Sequence, residues 1–139
     1  MIMGNLETGN LNCLNFVRKF KLTVISIEYR KAPEFPYPSA IQDCLDAITW
    51  VINSSDSLGI DLSNLGIYGS SAGGGLVLGT VLKLRDQGRD VFKYMMPIYP
   101  MIDDSNTSLS SQEIIDIGVW DRKANVEAWG WYLSGKSAD

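Results

Sequence analysis

Apolar residues recur along this chain with two periods, one helical and one extended, and the alternation between them sets out its elements. Leu11, Leu14, Val17 and Phe20 fall at helical spacing, which predicts a short amphipathic helix over residues 11–20. Residues 22–29 read as a strand, because Val24, Ile25 and Ile27 are β-branched and nearly continuous, as in a strand buried on both faces. Pro33, Pro36 and Pro38 then forbid regular structure and predict an extended loop over residues 30–38.

Ser39 stands three residues before Gln42, a capping-box pattern that predicts a helix start. Ile41, Leu45, Ile48 and Ile52 share one face of that helix, with Cys44 and Val51 beside them, and polar residues 53–57 end it ahead of Gly59. A second strand is expected over 65–69 and a second helix over 72–85, closed by Gln87, Gly88 and Arg89. A third strand follows over 91–98, stopped by Pro97 and Pro100. Residues 101–111 read as loop, and residues 121–133 as a last helix with Val126, Trp129 and Leu133 on one side. Strands alternating with helices imply an α/β fold with a parallel sheet flanked by helices. No repeat, low-complexity run or linker divides it, so residues 1–139 are expected to form a single domain, with 101–139 as a loop or cap-side region.

Composition narrows the classes. With 45% hydrophobic and 20% charged residues, the chain reads as globular rather than disordered or fibrous. A net charge of −4 argues against nucleic acid as a partner. Apolar runs are too short to span a bilayer, so no membrane partner is expected. Residues 1–10 lack a basic start and an apolar core, so no signal peptide is expected and the predicted location is cytoplasmic. Cys13 and Cys44 lie in apolar-periodic stretches, as free buried thiols do. The chain has no histidine and no metal-ligand spacing, so neither metal nor cofactor is expected.

One motif carries chemistry. Gly69, Ser71 and Gly73 form G-x-S-x-G between a predicted strand and a predicted helix, the context a nucleophile elbow requires. The turn is sharp, and glycine on both sides would let strand and helix backbones approach. Ser71 would then project at the carboxyl edge of the sheet, with the Ala72 N–H and the helix start facing a developing oxyanion. A plain Gly/Ser turn opening a helix is the simpler alternative. Gly73, Gly75 and Gly79 also make a loose dinucleotide-type glycine run, but they fall inside the predicted helix rather than in the turn.

Three segments resemble the hormone-sensitive-lipase family of α/β-hydrolases, the group that includes many bacterial carboxylesterases. Residues 27–34, with Pro36 and Pro38, resemble its DYRLAPE segment; Ser70-Ser71-Ala72-Gly73-Gly74 resembles its GDSAGG elbow; and residues 98–103 resemble its YPxxD. Gln42-Asp43-Cys44, Trp50 and Gly59-Ile60-Asp61 fall between them in the family's order. The resemblance implies a carboxylic ester hydrolase acting through an acyl-serine on a small ester, with Ser71 as nucleophile, Ala72 as an oxyanion donor, and Gly69, Ser70, Gly73 and Gly74 shaping the elbow. It also places the family's HGGG segment upstream of Met1 and its acid and histidine beyond Asp139, while Ser70 replaces the usual Asp, Glu or Thr.

The expected consequence is a truncated product, inactive alone, with a gap in its sheet between residues 22–29 and 65–69 and open edges that invite self-association. A non-catalytic binding module or a truncated pseudo-enzyme is the alternative. Asp103 and Asp104 read as loop chemistry, and no lysine (Lys19, Lys21, Lys31, Lys83, Lys93, Lys123 or Lys136) sits in a recognisable Ser–Lys motif. Of Trp120, Trp129, Trp131 and Tyr132, Trp129 is expected in the core with the others covering its edge. Glu28, Tyr29 and Arg30 are expected to hold the proline loop.

Overall fold

A computed structural model describes residues 1–135. Helix α1 spans Leu6–Phe20, five residues earlier than its apolar stripe suggested. The Asn5 side chain accepts from the Thr8 N–H at 3.1 Å while the Thr8 hydroxyl accepts from the Asn5 N–H at 3.2 Å, a reciprocal cap that extends the helix upstream. None of its residues is buried: Leu11, Leu14, Val17 and Phe20 all face outward. It is held at its start by the Glu28 carboxylate, which accepts the Leu6 N–H at 2.8 Å, and along its length by an edge contact of Phe16 on Tyr68.

Residues 22–29 do not form the expected strand. β-branched residues favour an extended backbone, but a strand exists only where a neighbour completes the ladder. Among the described residues no such neighbour is present, and Leu22 and Ile25 are exposed. The segment is instead tied by side chains. Arg30 grips Asp43 through its Nε and Nη2, with the Arg30 N–H donating to the same carboxylate at 2.7 Å, and Lys31 pairs with Glu28.

Helix α2, Ser39–Asn53, starts where expected but not by the expected device. Its N-cap is Pro38, whose carbonyl accepts the Gln42 N–H at 3.0 Å, so Ser39 already lies in the first turn. Gln42 therefore reaches forward to Asp46 at 2.8 Å rather than back to a cap. Ala40, Ile41, Cys44 and Ile48 are its buried residues; Leu45, Val51 and Ile52 are half-buried. Helix α3, Ser55–Leu58, and a short 3-10 turn at Leu62–Asn64 lead into strand β1, Gly66–Ser70.

Helix α4, Ala72–Asp86, crosses to strand β2, Tyr94–Ile98, which pairs parallel with β1 from Gly66↔Tyr94 to Ser70↔Ile98. Strand β2 begins three residues later than expected, opposite Gly66, and just ahead of it the Lys93 N–H donates to the Leu65 carbonyl at 2.9 Å. These two strands are the whole sheet among the described residues, so the other edge of β1 has no partner there, consistent with the expected gap. Helix α5, Leu109–Glu113, occupies part of the predicted loop, with the Ser108 side chain capping it on the Ser111 N–H. Helix α6, Arg122–Tyr132, is capped by Asp121.

The core lies between helices more than on the sheet. Ile41 and Cys44 of α2, Leu76 of α4 and Trp129 and Tyr132 of α6 form one buried cluster with Met1, Ala32 and Ala40. Burial pushes the Cys44 thiol up to about 11 and the Tyr132 phenol up to about 12. Both therefore sit in the core as neutral groups. The Tyr37 N–H donates to the Tyr132 carbonyl at 2.7 Å, joining the proline loop to α6. No helix among the described residues is long and apolar enough to cross a membrane.

Candidate active site

Strand β1 ends at Ser70 and α4 begins at Ala72, so the whole change of direction falls on Ser71. Its φ of 54° and ψ of −120° lie in territory that favours glycine. Such strain persists only where surrounding bonds over-determine the backbone. Here three do: the Ser71 N–H donates to the Ile98 carbonyl at 2.9 Å, and the Ser71 carbonyl accepts from Met101 at 3.1 Å and from Gly75 at 3.2 Å. Strand β2 and the loop after it thus fix the turn from the side.

The tight approach falls unequally on the glycines. A Cβ on Gly69 would stand 2.3 Å from the Gly73 carbonyl oxygen, so strand and helix can meet only if residue 69 is glycine. Gly73 itself faces open space, with nothing within 4 Å of the position a Cβ would take, which corrects the expectation that both flanking positions must be small for their own sake. The closest demand lies further on, at Gly75, where a Cβ would come 2.2 Å from the Met101 carbonyl oxygen. Gly74 similarly backs onto Pro100. The sequence pattern placed Gly75 and Gly79 only in a dinucleotide-type run; both lie within α4, and Gly79 faces Ile41.

Ser71 is exposed and lines an open cavity of about 470 Å³. Its walls include Tyr99, Met101, Ile102, Asp103, Trp120 and Trp129. Trp129 therefore has two faces of use, one in the core and one toward Ser71, and Trp120 joins it at the cavity while Trp131 stays exposed. Ser71 makes no side-chain capping bond on α4, whose first turn carries no acidic residue. The Ala72 amide and the positive end of α4 thus stand beside the hydroxyl without a competing anion in that turn. Ser70, paired with Ile98 in the sheet, is half-buried.

The candidate acid beside this cavity is occupied elsewhere. Asp103 accepts from the Ser105 N–H at 3.0 Å and hydroxyl at 2.9 Å, and that hydroxyl holds its carboxyl below the usual range. This is the loop chemistry expected of it. Among the described residues no lysine lines the cavity, and the Ser71 hydroxyl has no hydrogen-bond partner. Lys136 lies outside the described residues. No group of His, Cys, Asp or Glu there could hold a metal ion.

Comparison with known proteins agrees with this geometry. A family model described as the alpha/beta hydrolase fold matches residues 1–139. The chain is 34% identical over 133 residues to Esterase LipI of Mycobacterium tuberculosis (strain ATCC 25618 / H37Rv), covering 94% of this chain and 41% of that protein. It is 37% identical over 101 residues to an arylesterase of Saccharolobus solfataricus, covering 73% of this chain and 33% of the relative. The crystal structure of esterase LipW from Mycobacterium marinum superposes with a TM-score of 0.92 at 33% identity, over 99% of this chain and 44% of that one. The chain spans a third to two-fifths of the length of these curated relatives.

Proposed function

The chain belongs to the hormone-sensitive-lipase type of the α/β-hydrolase fold family, and from that premise we propose that it carries the nucleophile of a carboxylic ester hydrolase, Ser71. The observation that carries this reading is the backbone of Ser71, at φ 54° and ψ −120°, pinned between β1 and α4 at the mouth of a cavity. A mere Gly/Ser turn would have no need to hold a serine in a conformation that glycine adopts freely. The esterase names of the similar proteins support the same substrate class.

In the proposed reaction the Ser71 Oγ attacks the ester carbonyl, and its proton passes to a general base. The carbonyl oxygen becomes an oxyanion beside the Ala72 N–H and the start of α4, where fixed donors stabilise it without reorganisation. The alcohol leaves, and water then releases the acid from the acyl-serine. These 139 residues contain no histidine, and Asp103, the carboxylate among the described residues that line the cavity, is engaged with Ser105. We therefore propose that the chain by itself does not turn over and that the base is supplied from outside these residues. The site is read as one for a small ester, with the cytoplasm as its compartment.

The test is p-nitrophenyl acetate and butyrate hydrolysis by the purified chain beside Ser71→Ala. Equal, background rates are expected. A rate well above background that vanishes in Ser71→Ala would overturn the inactivity while leaving Ser71 as nucleophile. A rate that survives Ser71→Ala would overturn the assignment of Ser71.

A further inference from the structure

The cavity beside Ser71 shares a wall with a second one. A smaller space of about 150 Å³ is lined by Ile114, Asp121 and Arg122, and the residues common to both cavities include Trp120, Asn106 and Asn125. Trp120 is the largest of these shared side chains, and its ring is held in place. Its Nε1–H donates to the Asn125 Oδ1 at 2.9 Å, the Asn125 amide donates to the Asn106 Oδ1, and the Asn106 amide donates to the Asp104 carbonyl at 2.8 Å. This half-buried chain of bonds, with Asn106 buried at its centre, fixes the orientation of the ring.

Other polar groups of the walls bond to backbone. Arg122 is the cation among the described lining residues, and its Nη1 donates to the carbonyls of Asn106 at 2.7 Å and Ser111 at 3.0 Å. Asp121 accepts the Ala124 N–H at 2.8 Å as the cap of α6. Asp103 adds a negative charge to the larger cavity, and no Lys or Arg is among the described residues that line that cavity. Beside Ser71 the ring of Tyr99 and the side chain of Ile102 offer carbon surface, at 73% and 69% exposed. An anionic substrate finds no counter-ion here, whereas a neutral aliphatic chain finds surface to cover.

We propose that Trp120 is the partition that limits how long a neutral, unbranched acyl chain can lie beside Ser71. This rests on reading the larger cavity as the acyl site. The larger volume falls within the range of small-molecule pockets, and Trp120 stands in the wall that the larger and the smaller space share. Trp120 acts as a specificity-determining residue, and Asn125 as the residue that positions it.

The test is a ligand-observed NMR titration with a homologous series of methyl n-alkyl ketones, which are neutral and need no hydrolysis. For the wild-type chain, affinity is expected to tighten about four-fold per added methylene and then to level off at a definite length. Trp120→Ala is expected to move that break to longer chains, and Trp120→Phe, which is smaller and loses the bond to Asn125, to move it less far. If Trp120→Ala loses its near-UV circular dichroism, Trp120→Leu is read instead, with a shift in the same direction. A break at the same length in wild type and in the folded truncation variant overturns the proposal, as does an equal loss at every length. Fatty carboxylates binding more tightly than ketones of the same length would overturn the neutral class. Hydrolysis is not read, so failure of the esterase assignment shows in the Ser71 assay and leaves this series intact.

Discussion

Replacing Gly75 by alanine tests whether the elbow is shaped by close approach of the loop after β2. The added Cβ would stand 2.2 Å from the Met101 carbonyl oxygen and 3.3 Å from its carbonyl carbon. The first distance is roughly 1 Å short of ordinary contact, and the obstacle is backbone that cannot swing aside as a side chain can. Overpacking of this kind costs about 1–3 kcal/mol. Alanine's better helix propensity returns at most about 1 kcal/mol, since Gly75 lies inside α4. With that return in full, the net expectation is a loss of up to about 2 kcal/mol. Because the Met101 N–H donates to the Ser71 carbonyl, the displacement also reaches the turn itself.

The assay is equilibrium urea unfolding followed by far-UV circular dichroism. With a slope of about 1–3 kcal/mol/M, the midpoint should fall by on the order of 1 M. Gly73→Ala is the matched control, on the same helix turn with nothing within 4 Å of the new methyl. Its midpoint should stay level or rise slightly. If Gly75→Ala unfolds at or above the wild-type midpoint, or Gly73→Ala is the more damaging of the two, the packing argument is wrong.

Ser71→Gly should raise the unfolding midpoint, because strain of about 1–3 kcal/mol is relieved and glycine's added unfolded-state freedom takes back only about 0.5–1 kcal/mol. Ser71→Ala keeps the strained backbone and should not show that gain; equal midpoints for the two variants would remove strain from the account. Asp43→Asn probes the tie between the segment before the proline loop and α2. The Arg30 guanidinium holds the Asp43 carboxyl below its ordinary value, so its contribution is present above the unfolded-state pKa of about 3.9 and is lost as pH falls through the lower folded value. Asp43→Asn should therefore be less stable than wild type at pH 7, with the difference shrinking below about pH 4; a difference that stays constant down to pH 2 would count against the Arg30 pairing.

Local chemistry made much of this protein legible from its sequence. Helices α2, α4 and α6 and strand β1 carry their own periodicity and fall within a residue or so of the expected bounds. The elbow was readable for the same reason, since Gly69, Ser71 and their flanking strand and helix are contiguous. Two polar pairs are local signals as well. Asn5 with Thr8 marks the true start of α1, and Ser108 with Ser111 marks α5.

Only the tertiary structure decided the rest, because each case turns on a neighbour distant in the chain. Residues 22–29 have strand composition but no ladder, since hydrogen-bond partners are not written into a segment's own residues. Strand β2 begins at Tyr94, where its pairing with Gly66 of β1 begins, a register set across the chain. Gly75 is the tighter constraint and Gly73 the looser one because Met101 passes the former and open space faces the latter. Sequence settles what each segment prefers. Which preference is realised depends on through-space contacts that exist only once the chain has closed around Ser71.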